Sequence, residues 1–267
     1  MNDGFIRKTS NGVPYYVCTR LNDTGLAMCA FSTRIGGVSP KPYDTLNLGR
    51  IVGNERENVL RNREIFAQAI GLQSGFFRYA QQEHGDRIFV VSRMTDFPPE
   101  GAVFDGFITN LPDVPLMVFT ADCLPVLLLD PVKRVVAAVH CGWRGTALDI
   151  AGKAVRLMVS DYGSHPADII AAFGPCIMPC HFLTDGDVPV AMLGRYGKGI
   201  ESLIQPKGEK FSVDLPGINV FALEREGLNR QNIHLSGLCS VCRNDEFYSH
   251  RLTGFERGVC AGIISLI

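Results

Sequence analysis

Three apolar segments follow one another closely in the middle of the chain and restrict the fold more than any other part of the sequence. Leu116 to Thr120, Leu124 to Asp130 and Val135 to His140 are each of strand length and are apolar at nearly every position. Such runs indicate strands that are buried on both faces, because a strand with one solvated face would alternate apolar and polar residues. The sequence therefore predicts the centre of a sheet that is covered on both sides.

Predicted helices alternate with these and other predicted strands. The further strands are expected at Leu26 to Thr33, Arg87 to Ser92, Ile169 to Phe173, Ile233 to Leu235 and Val259 to Leu266. The helices are expected from Glu55 to Ile70 with Asn54 as N-cap, from the N-cap Thr146 to Met158, from Val188 to Tyr196 and from Pro216 to Glu226. This mixture predicts an α+β or α/β fold without a visible linker, in a single domain over residues 1–267.

Charge and hydropathy indicate a small-molecule partner. The 267 residues carry a formal net charge of −1 without a run of Lys or Arg, which argues against nucleic acid or an anionic membrane as the main partner. The first twenty residues lack the apolar core of a signal peptide, and the apolar runs are too short to span a bilayer. We expect a soluble cytoplasmic protein, and the sequence leaves its oligomeric state open.

Nine cysteines, an odd number, favour free or metal-bound thiols over a disulfide framework. Cys239-Ser240-Val241-Cys242 has the spacing of a zinc knuckle, and Cys176 with Cys180 can complete a four-sulfur site. Neither pair is specific alone, so incidental thiols are the preferred interpretation. Three further cysteines lie in apolar predicted strands and are expected to belong to the protein core: Cys18, Cys29 and Cys260.

His84, Cys123 and His140 form the first chemical constellation. Imidazole nitrogen and thiolate sulfur are ligands of Zn²⁺, and three protein ligands leave a fourth position open, as in catalytic zinc sites. The spacing matches no local zinc motif, and the alternative is a buried thiol with ordinary polar histidines. Cys123 and His140 nevertheless lie at the ends of predicted strands, where neighbouring ends can form a pocket.

Two glycine-containing loops can bind an anion. Gly142-Trp143-Arg144-Gly145-Thr146 lies at a predicted strand-to-helix turn, where free N–H groups and the Arg144 guanidinium would stabilise phosphate. Arg34, with Gly36 and Gly37, offers a similar arrangement. The alternative for Arg144 is a structural turn with a surface ion pair.

Motifs along nearly the whole chain carry a family resemblance. In order they are Ser32-Thr33-Arg34-Ile35-Gly36-Gly37-Val38-Ser39, Tyr43, Asn47-Leu48-Gly49, Glu57-Asn58-Val59 with Asn62-Arg63, Gln82-Glu83-His84-Gly85, Thr120-Ala121-Asp122-Cys123-Leu124-Pro125, His140-Cys141-Gly142-Trp143-Arg144-Gly145 and Gly174-Pro175-Cys176-Ile177. Their order resembles the multicopper polyphenol oxidase, or laccase-domain, family. That family includes peptidoglycan editing factors and laccase-domain purine nucleoside phosphorylases.

The resemblance implies an α+β fold of layered mixed β-sheets flanked by helices, in a single domain. It also implies a zinc ion held by His84, Cys123 and His140, which would be the catalytic residues as well. It implies phosphorolysis of adenosine, inosine, guanosine and methylthioadenosine, with hydrolytic deamination of adenosine as a second activity. Purine nucleoside and phosphate would then be the partners. The chain departs from the family where Cys141 replaces an alanine and where Phe182-Leu183 replaces Tyr-Glu. Contacts to phosphate or nucleoside are expected from Arg34, Asn47, Gln82 and Arg144.

Two other function classes remain open. A copper-dependent polyphenol oxidase is less favoured, because copper oxidases need more histidine ligands than six scattered histidines without a His-x-His pair can offer. A Cys-His hydrolase or amidase would use Cys123 as nucleophile and His140 as base, and this chemistry would suit peptidoglycan editing.

Overall fold

Two large sheets lie face to face in the computed structural model, which describes residues 4–49 and 56–267. In spatial order, the first sheet contains β1 (Phe5–Ser10), β2 (Val13–Cys18), β3 (Ala27–Ser32), β14 (Cys260–Leu266) and β6 (Leu116–Thr120). The second sheet contains β13 (Ile233–Leu235), β9 (Ile170–Phe173), β7 (Leu124–Asp130), β8 (Val135–Cys141), β5 (Gly106–Thr109) and β4 (Ile88–Val91). A small third sheet contains β10 (Leu183–Thr184), β12 (Lys210–Val213) and β11 (Ile204–Lys207).

Helices cover the outer faces of both large sheets. The α-helices of the described residues are α1 (Thr19–Asn22), α2 (Arg56–Ile70), α3 (Trp143–Ala147), α4 (Ile150–Tyr162), α5 (Asp187–Tyr196), α6 (Leu215–Arg225) and α7 (His250–Thr253). Helix α2 packs on the first sheet, and α4 and α6 pack on the second. Among the described helices, none has the length and apolar character that crossing a membrane requires.

Strand β7 explains why the middle of the sequence is apolar at consecutive positions. Val126 and Leu128 point into the core shared with α4 and α6, whereas Leu127 and Leu129 point into the core between the two large sheets. All four side chains are fully buried. The predicted double-sided burial is therefore confirmed, as is the predicted fold of layered mixed sheets flanked by helices.

One edge of the second sheet brings together residues that are far apart in sequence. Strand β8 is antiparallel to both β7 and β5, with Pro125 opposite His140 and Gly106 opposite Val139. Strand β4 runs parallel to β5, so both strands start at the same edge. The residues that precede β4, β5 and β7 consequently meet the residues that end β8.

The helix predictions hold with one correction. Thr146 is not the N-cap of a long helix, because the chain forms α3, then turns at Asp149 with a φ of +63°, and begins α4 at Ile150. Aspartate is among the residues that tolerate this left-handed conformation. The Thr146 hydroxyl instead accepts a hydrogen bond from Asn219 Nδ2 at 3.0 Å. The predicted cap Asn54 and first residue Glu55 of α2 lie outside the described residues.

Truncating the centre of β7 should destabilise the whole fold. For Leu128→Ala we expect a loss of about 2–5 kcal/mol in the free energy of unfolding, because a fully buried leucine is replaced by a cavity. Val132, 65 % exposed in the turn between β7 and β8, gives the matched control, and Val132→Ala should cost less than about 0.5 kcal/mol. Urea unfolding measures both values. Equal midpoints for the two variants would contradict the central position of β7.

Candidate metal centre

A buried carboxylate, Asp105, organises the shared edge of the second sheet. It lies directly before β5 and is fully buried. Its oxygens accept hydrogen bonds from the main-chain N–H groups of Glu83 (3.2 Å), His84 (3.0 Å) and Gly85 (2.9 Å). The 83–85 turn is thereby folded around the carboxylate, and His84 has a φ of +65° within it.

The same carboxylate holds the imidazole of His140. Asp105 Oδ1 lies 2.8 Å from His140 Nδ1, and Asp105 O accepts the main-chain N–H of His140 at 2.7 Å. A carboxylate that binds one ring nitrogen of a histidine fixes the orientation of the ring and leaves the other nitrogen for a metal. His140 therefore presents Nε2 on the side away from Asp105.

The donor atoms of His84, Cys123 and His140 all lie within 4.8 Å of one another. The two imidazole rings meet edge to face, with centroids 4.9 Å apart. Gly142 makes room for this group, since a Cβ atom there would lie 2.6 Å from His84 Cδ2 and 3.1 Å from Cys123 Sγ. Two nitrogens and one sulfur in this arrangement can hold a metal ion with one position left open.

Cys123 and His140 polarise each other. Burial would raise the pKa of the Cys123 thiol, but His140 and His84 lower it to about 6. Burial would likewise lower the pKa of His140, but the Cys123 thiolate and the Asp105 carboxylate raise it to about 9. Between these two values the pair is a thiolate and an imidazolium, so the sulfur is already in the form that binds a metal.

The three donors face a cavity of about 1080 Å³. This volume accommodates a small organic ligand, for which pockets of about 300–1,000 Å³ are usual. Both large sheets contribute to its wall, because Phe119 belongs to β6 and His140 belongs to β8. Aromatic side chains that line it include Phe77, Tyr79, Phe97 and Phe119.

Two arginines also line the cavity. Arg257 Nη1 donates to Gly258 O at 3.1 Å, while its buried Nε has no hydrogen-bond partner in the described part of the chain. The pKa of Arg257 is lowered overall, because the effect of burial is larger than the opposing effect of the charges of Asp122 and Cys123. Arg63 is 6 % exposed, donates from Nε to Leu48 O at 2.8 Å and lies 4.0 Å from the centroid of the Tyr79 ring. The arginines provide positive charge beside an apolar wall.

Two of the predicted substrate contacts hold this wall in place. Gln82 lines the cavity and makes two hydrogen bonds with the main chain of Phe119. Its Nε2 donates to Phe119 O at 2.9 Å, and its Oε1 accepts the N–H of Phe119 at 2.7 Å. Asn47 is fully buried and accepts hydrogen bonds at Oδ1 from Val259 N (2.9 Å) and Gly49 N (3.2 Å).

The other two predicted contacts have different surroundings. Arg34 donates from Nε to Asp44 O at 3.0 Å and from Nη1 to Asn244 O at 3.0 Å. Arg144 is exposed on α3 and stacks on Trp143 with 4.3 Å to the ring centroid. Neither arginine is among the described residues that line the cavity. Cys141, the thiol next to His140, is buried in the apolar core instead of joining the donor group.

Sequence patterns and solved structures agree on the family. Residues 28–267 match the family described as multi-copper polyphenol oxidoreductase laccase. The chain belongs to this family. It is 32% identical to the purine nucleoside phosphorylase YlmD of Bacillus subtilis over 84% of this chain and 83% of that protein. It is 34% identical to the purine nucleoside phosphorylase YfiH of Escherichia coli over 85% of this chain and 88% of that protein.

A solved structure shows the same fold. The crystal structure of YlmD from Geobacillus stearothermophilus superposes with a TM-score of 0.91 at 28% identity and covers 99% of both chains. The names of the relatives support the conclusion that this protein is an enzyme. Its structure contains Cys/His groups that can bind a metal.

Asp105 and Arg257 were not predicted as site residues from the sequence, and Arg63 was assigned no role. Asp105 stands alone between Phe104 and Gly106, without a second polar residue to mark it. Its position before a strand that pairs with the strand of His140 was the only signal, and the strand Gly106–Thr109 was not predicted. Arg257 follows the exposed Phe255 in a segment without a motif.

Asp105→Asn should weaken metal binding without unfolding the protein. We expect about 10- to 100-fold lower metal affinity, because asparagine cannot supply the negative charge that orients and polarises His140. Competition with a chromophoric chelator measures the affinity. Asp130→Asn is the control, since Asp130 is equally buried but, within residues 4–49 and 56–267, its side chain bonds only the turn N–H groups of Val132 and Lys133. Equal losses in both variants would refute a specific role of Asp105.

The low pKa of Cys123 predicts its reactivity in metal-free protein. Iodoacetamide should alkylate Cys123 with a rate that rises through pH of about 6, because the thiolate exists above its pKa and is lost below it. In His140→Gln the midpoint should move upward, since the neighbouring positive charge is gone. Peptide mapping by mass spectrometry separates Cys123 from the exposed Cys180 and Cys242. A midpoint near that of a free thiol in the unsubstituted protein would contradict the pairing.

Proposed function

We propose that the protein is a zinc-dependent purine nucleoside phosphorylase that also deaminates adenosine hydrolytically. Its substrates would be adenosine, inosine, guanosine or methylthioadenosine, together with phosphate. The observation that supports this most is the group of His84, Cys123 and His140 facing a cavity with aromatic and cationic walls. The names of the relatives from Bacillus subtilis and Escherichia coli point to the same activity.

Zinc fits the donor set of this centre. Two imidazoles and one thiolate are usual zinc ligands, whereas copper oxidases need further histidines. A bound zinc ion would supply a Lewis acid at the wall of the cavity. Asp105 and Gly142 would contribute by holding His140 and by leaving room for His84.

The purine base would bind among the aromatic side chains. Tyr79 and Phe119 meet edge to face with ring centroids 5.7 Å apart, and their positions are fixed by Arg63 and Gln82. Aromatic rings stack on any nucleobase, which suits an enzyme that accepts several purine nucleosides. In this proposal Gln82 and Asn47 act by positioning the wall that contacts the base.

Phosphorolysis requires an anion site beside the ribose. A phosphate oxygen would form a bond to C1′ of the ribose as the bond from C1′ to the purine nitrogen breaks, giving ribose 1-phosphate and a free base that takes up a proton. Arg257 is suited to bind the phosphate, because its guanidinium is partly desolvated and a charge-assisted hydrogen bond is strong in such surroundings. Arg63 adds a second positive charge to the cavity, and Arg144 and Arg34 remain candidates for outer contacts.

We also propose that residues 1–267 act as one domain. The support is that each large sheet supplies part of the cavity: His140 is the next-to-last residue of β8 in the second sheet, and Val259 and Arg257 precede β14 of the first. Neither sheet alone would enclose a nucleoside.

One observation favours a second candidate, a Cys-His hydrolase or amidase. Asp105, His140 and Cys123 form a chain in which a carboxylate orients an imidazole that lowers the pKa of a thiol to about 6. That order of groups is used by cysteine hydrolases. Activity of metal-free protein that alkylation of Cys123 abolishes would favour this candidate over a phosphorylase.

Incubation with adenosine tests the proposed function. With phosphate we expect free adenine and ribose 1-phosphate, and without phosphate we expect inosine, as identified by chromatography. Cys123→Ala should lower the zinc content by about one ion per chain and abolish both reactions, because the thiolate neutralises charge that the neutral imidazoles cannot. Both activities at normal rates in this variant would exclude the centre from catalysis.

Arg257→Gln should separate the two reactions. Loss of a charge-assisted contact of about 1.5–3 kcal/mol should lower phosphorolysis at subsaturating phosphate roughly 10- to 150-fold and affect phosphate-independent deamination less. Arg144→Gln is the matched comparison on an exposed arginine. Zinc content is measured in both variants. A larger effect of Arg144→Gln would move the phosphate site to the start of α3.

A further inference from the structure

A second group of metal-binding side chains lies outside the cavity, and we call it the surface cluster. Its members are Cys180, His181, Cys239 and Cys242. Cys180 and His181 belong to the segment between β9 and β10, and the two other cysteines belong to the segment after β13. Because β9 and β13 are parallel neighbours, both segments leave the second sheet at the same edge.

The donor atoms of the surface cluster converge on one point. His181 Nδ1 lies 3.2 Å from Cys180 Sγ, 3.5 Å from Cys242 Sγ and 3.7 Å from Cys239 Sγ. The sulfurs of Cys180 and Cys242 are 3.7 Å apart. A tetrahedral zinc ion with ordinary bond lengths requires about 3.8 Å between two sulfurs and about 3.6 Å between a sulfur and a nitrogen. The observed distances are close to both values.

The main chain holds this arrangement in place. Cys239 pairs with Cys176, through Cys176 N to Leu238 O at 3.1 Å and Ser240 N to Cys176 O at 2.9 Å. This pairing fixes the position of the Cys239–Cys242 turn relative to the segment that carries Cys180 and His181.

Positive charge close by suits a centre with three thiolates. Three thiolates, one neutral imidazole and a divalent ion carry a net charge of −1. The Arg251 guanidinium donates from Nη1 to His181 O at 2.7 Å and to Leu183 O at 3.0 Å, so it lies beside the ligand segment.

From this geometry we propose a second zinc ion, bound in a closed tetrahedral site by Cys180, His181, Cys239 and Cys242. All four positions are filled by protein, which is the arrangement of structural zinc sites, whereas the centre in the cavity keeps one position open. A disulfide between Cys180 and Cys242 would use two of the four groups and leave the convergence of Cys239 and His181 unexplained.

The site would support the loop that carries Cys123. Ser240, inside the Cys239–Cys242 turn, donates from Oγ to Asp122 Oδ1 at 2.6 Å, and Arg251 N donates to Asp122 Oδ2 at 2.6 Å. Asp122 has a φ of +88° and directly precedes Cys123. A zinc ion that holds the Cys239–Cys242 turn therefore also holds Ser240, the hydrogen-bond partner of Asp122.

Metal content of purified protein tests the proposal. We expect about two zinc ions per chain in the unsubstituted protein, about one in Cys242→Ser, about one in Cys123→Ala and none in the double variant. Cys18→Ala, which removes a buried thiol outside both groups, should keep about two. No decrease in zinc content on Cys242→Ser, or the absence of zinc from Cys123→Ala, would overturn the proposal, because either result leaves the surface cluster without an ion.

Cobalt substitution and thiol mapping give independent readouts. Cobalt-loaded Cys123→Ala should show the absorption of a tetrahedral ion with three thiolate ligands, and the double variant should lose it. Peptide mapping should find Cys180 and Cys242 reduced. A disulfide between them in freshly purified protein, or cobalt absorption with the intensity of a single thiolate, would refute the closed site whether or not the enzyme is a phosphorylase.

Discussion

The arrangement of the cavity depends on one buried carboxylate. Asp105 binds three consecutive N–H groups of the 83–85 turn and the Nδ1 atom of His140, so it fixes the two histidines relative to each other. The cost of burying a charged group is offset because its oxygens are paired with donors. Cys123 then completes the group from the residue before β7, where its thiolate and the imidazolium of His140 attract each other. The position of all three possible metal ligands at the edge of the second sheet therefore depends on the hydrogen bonds of Asp105.

The sequence predicted the parts of the fold that are marked by local patterns. The doubly buried strands β7 and β8 are apolar throughout, and α5 and α6 were found to within one residue at each end. Strand β1 was missed because five of its six residues are not buried, so no apolar run marks it. The break between α3 and α4 was missed because it depends on Asp149, whose carboxylate is paired with Arg156 of α4 and with Arg195 of α5, 46 residues along the chain.

The three possible metal ligands of the candidate site could be predicted from the sequence, but the residues that hold them in place could not. His84, Cys123 and His140 stand in motifs of their own, and sheet register explains why two of them meet. Asp105 and Arg257 reach the site only through pairing between strands that are far apart in sequence, which no local pattern reveals. The surface cluster shows the same contrast. The two-residue gap of Cys239 and Cys242 was visible, but the partners Cys180 and His181 are brought to it by the parallel pairing of β9 and β13.

Anomalous diffraction from crystals of the metal-loaded protein shows which metal the cavity binds and through which atoms. Data collected on either side of the zinc absorption edge locate zinc and distinguish it from copper. We expect a zinc peak bonded to Cys123 Sγ, His84 and His140 Nε2, with Asp105 still bound to His140 Nδ1. A peak of another metal at this position, the absence of zinc from it, or a His140 ring turned so that Nδ1 binds the metal and the bond to Asp105 is lost would refute the proposed centre.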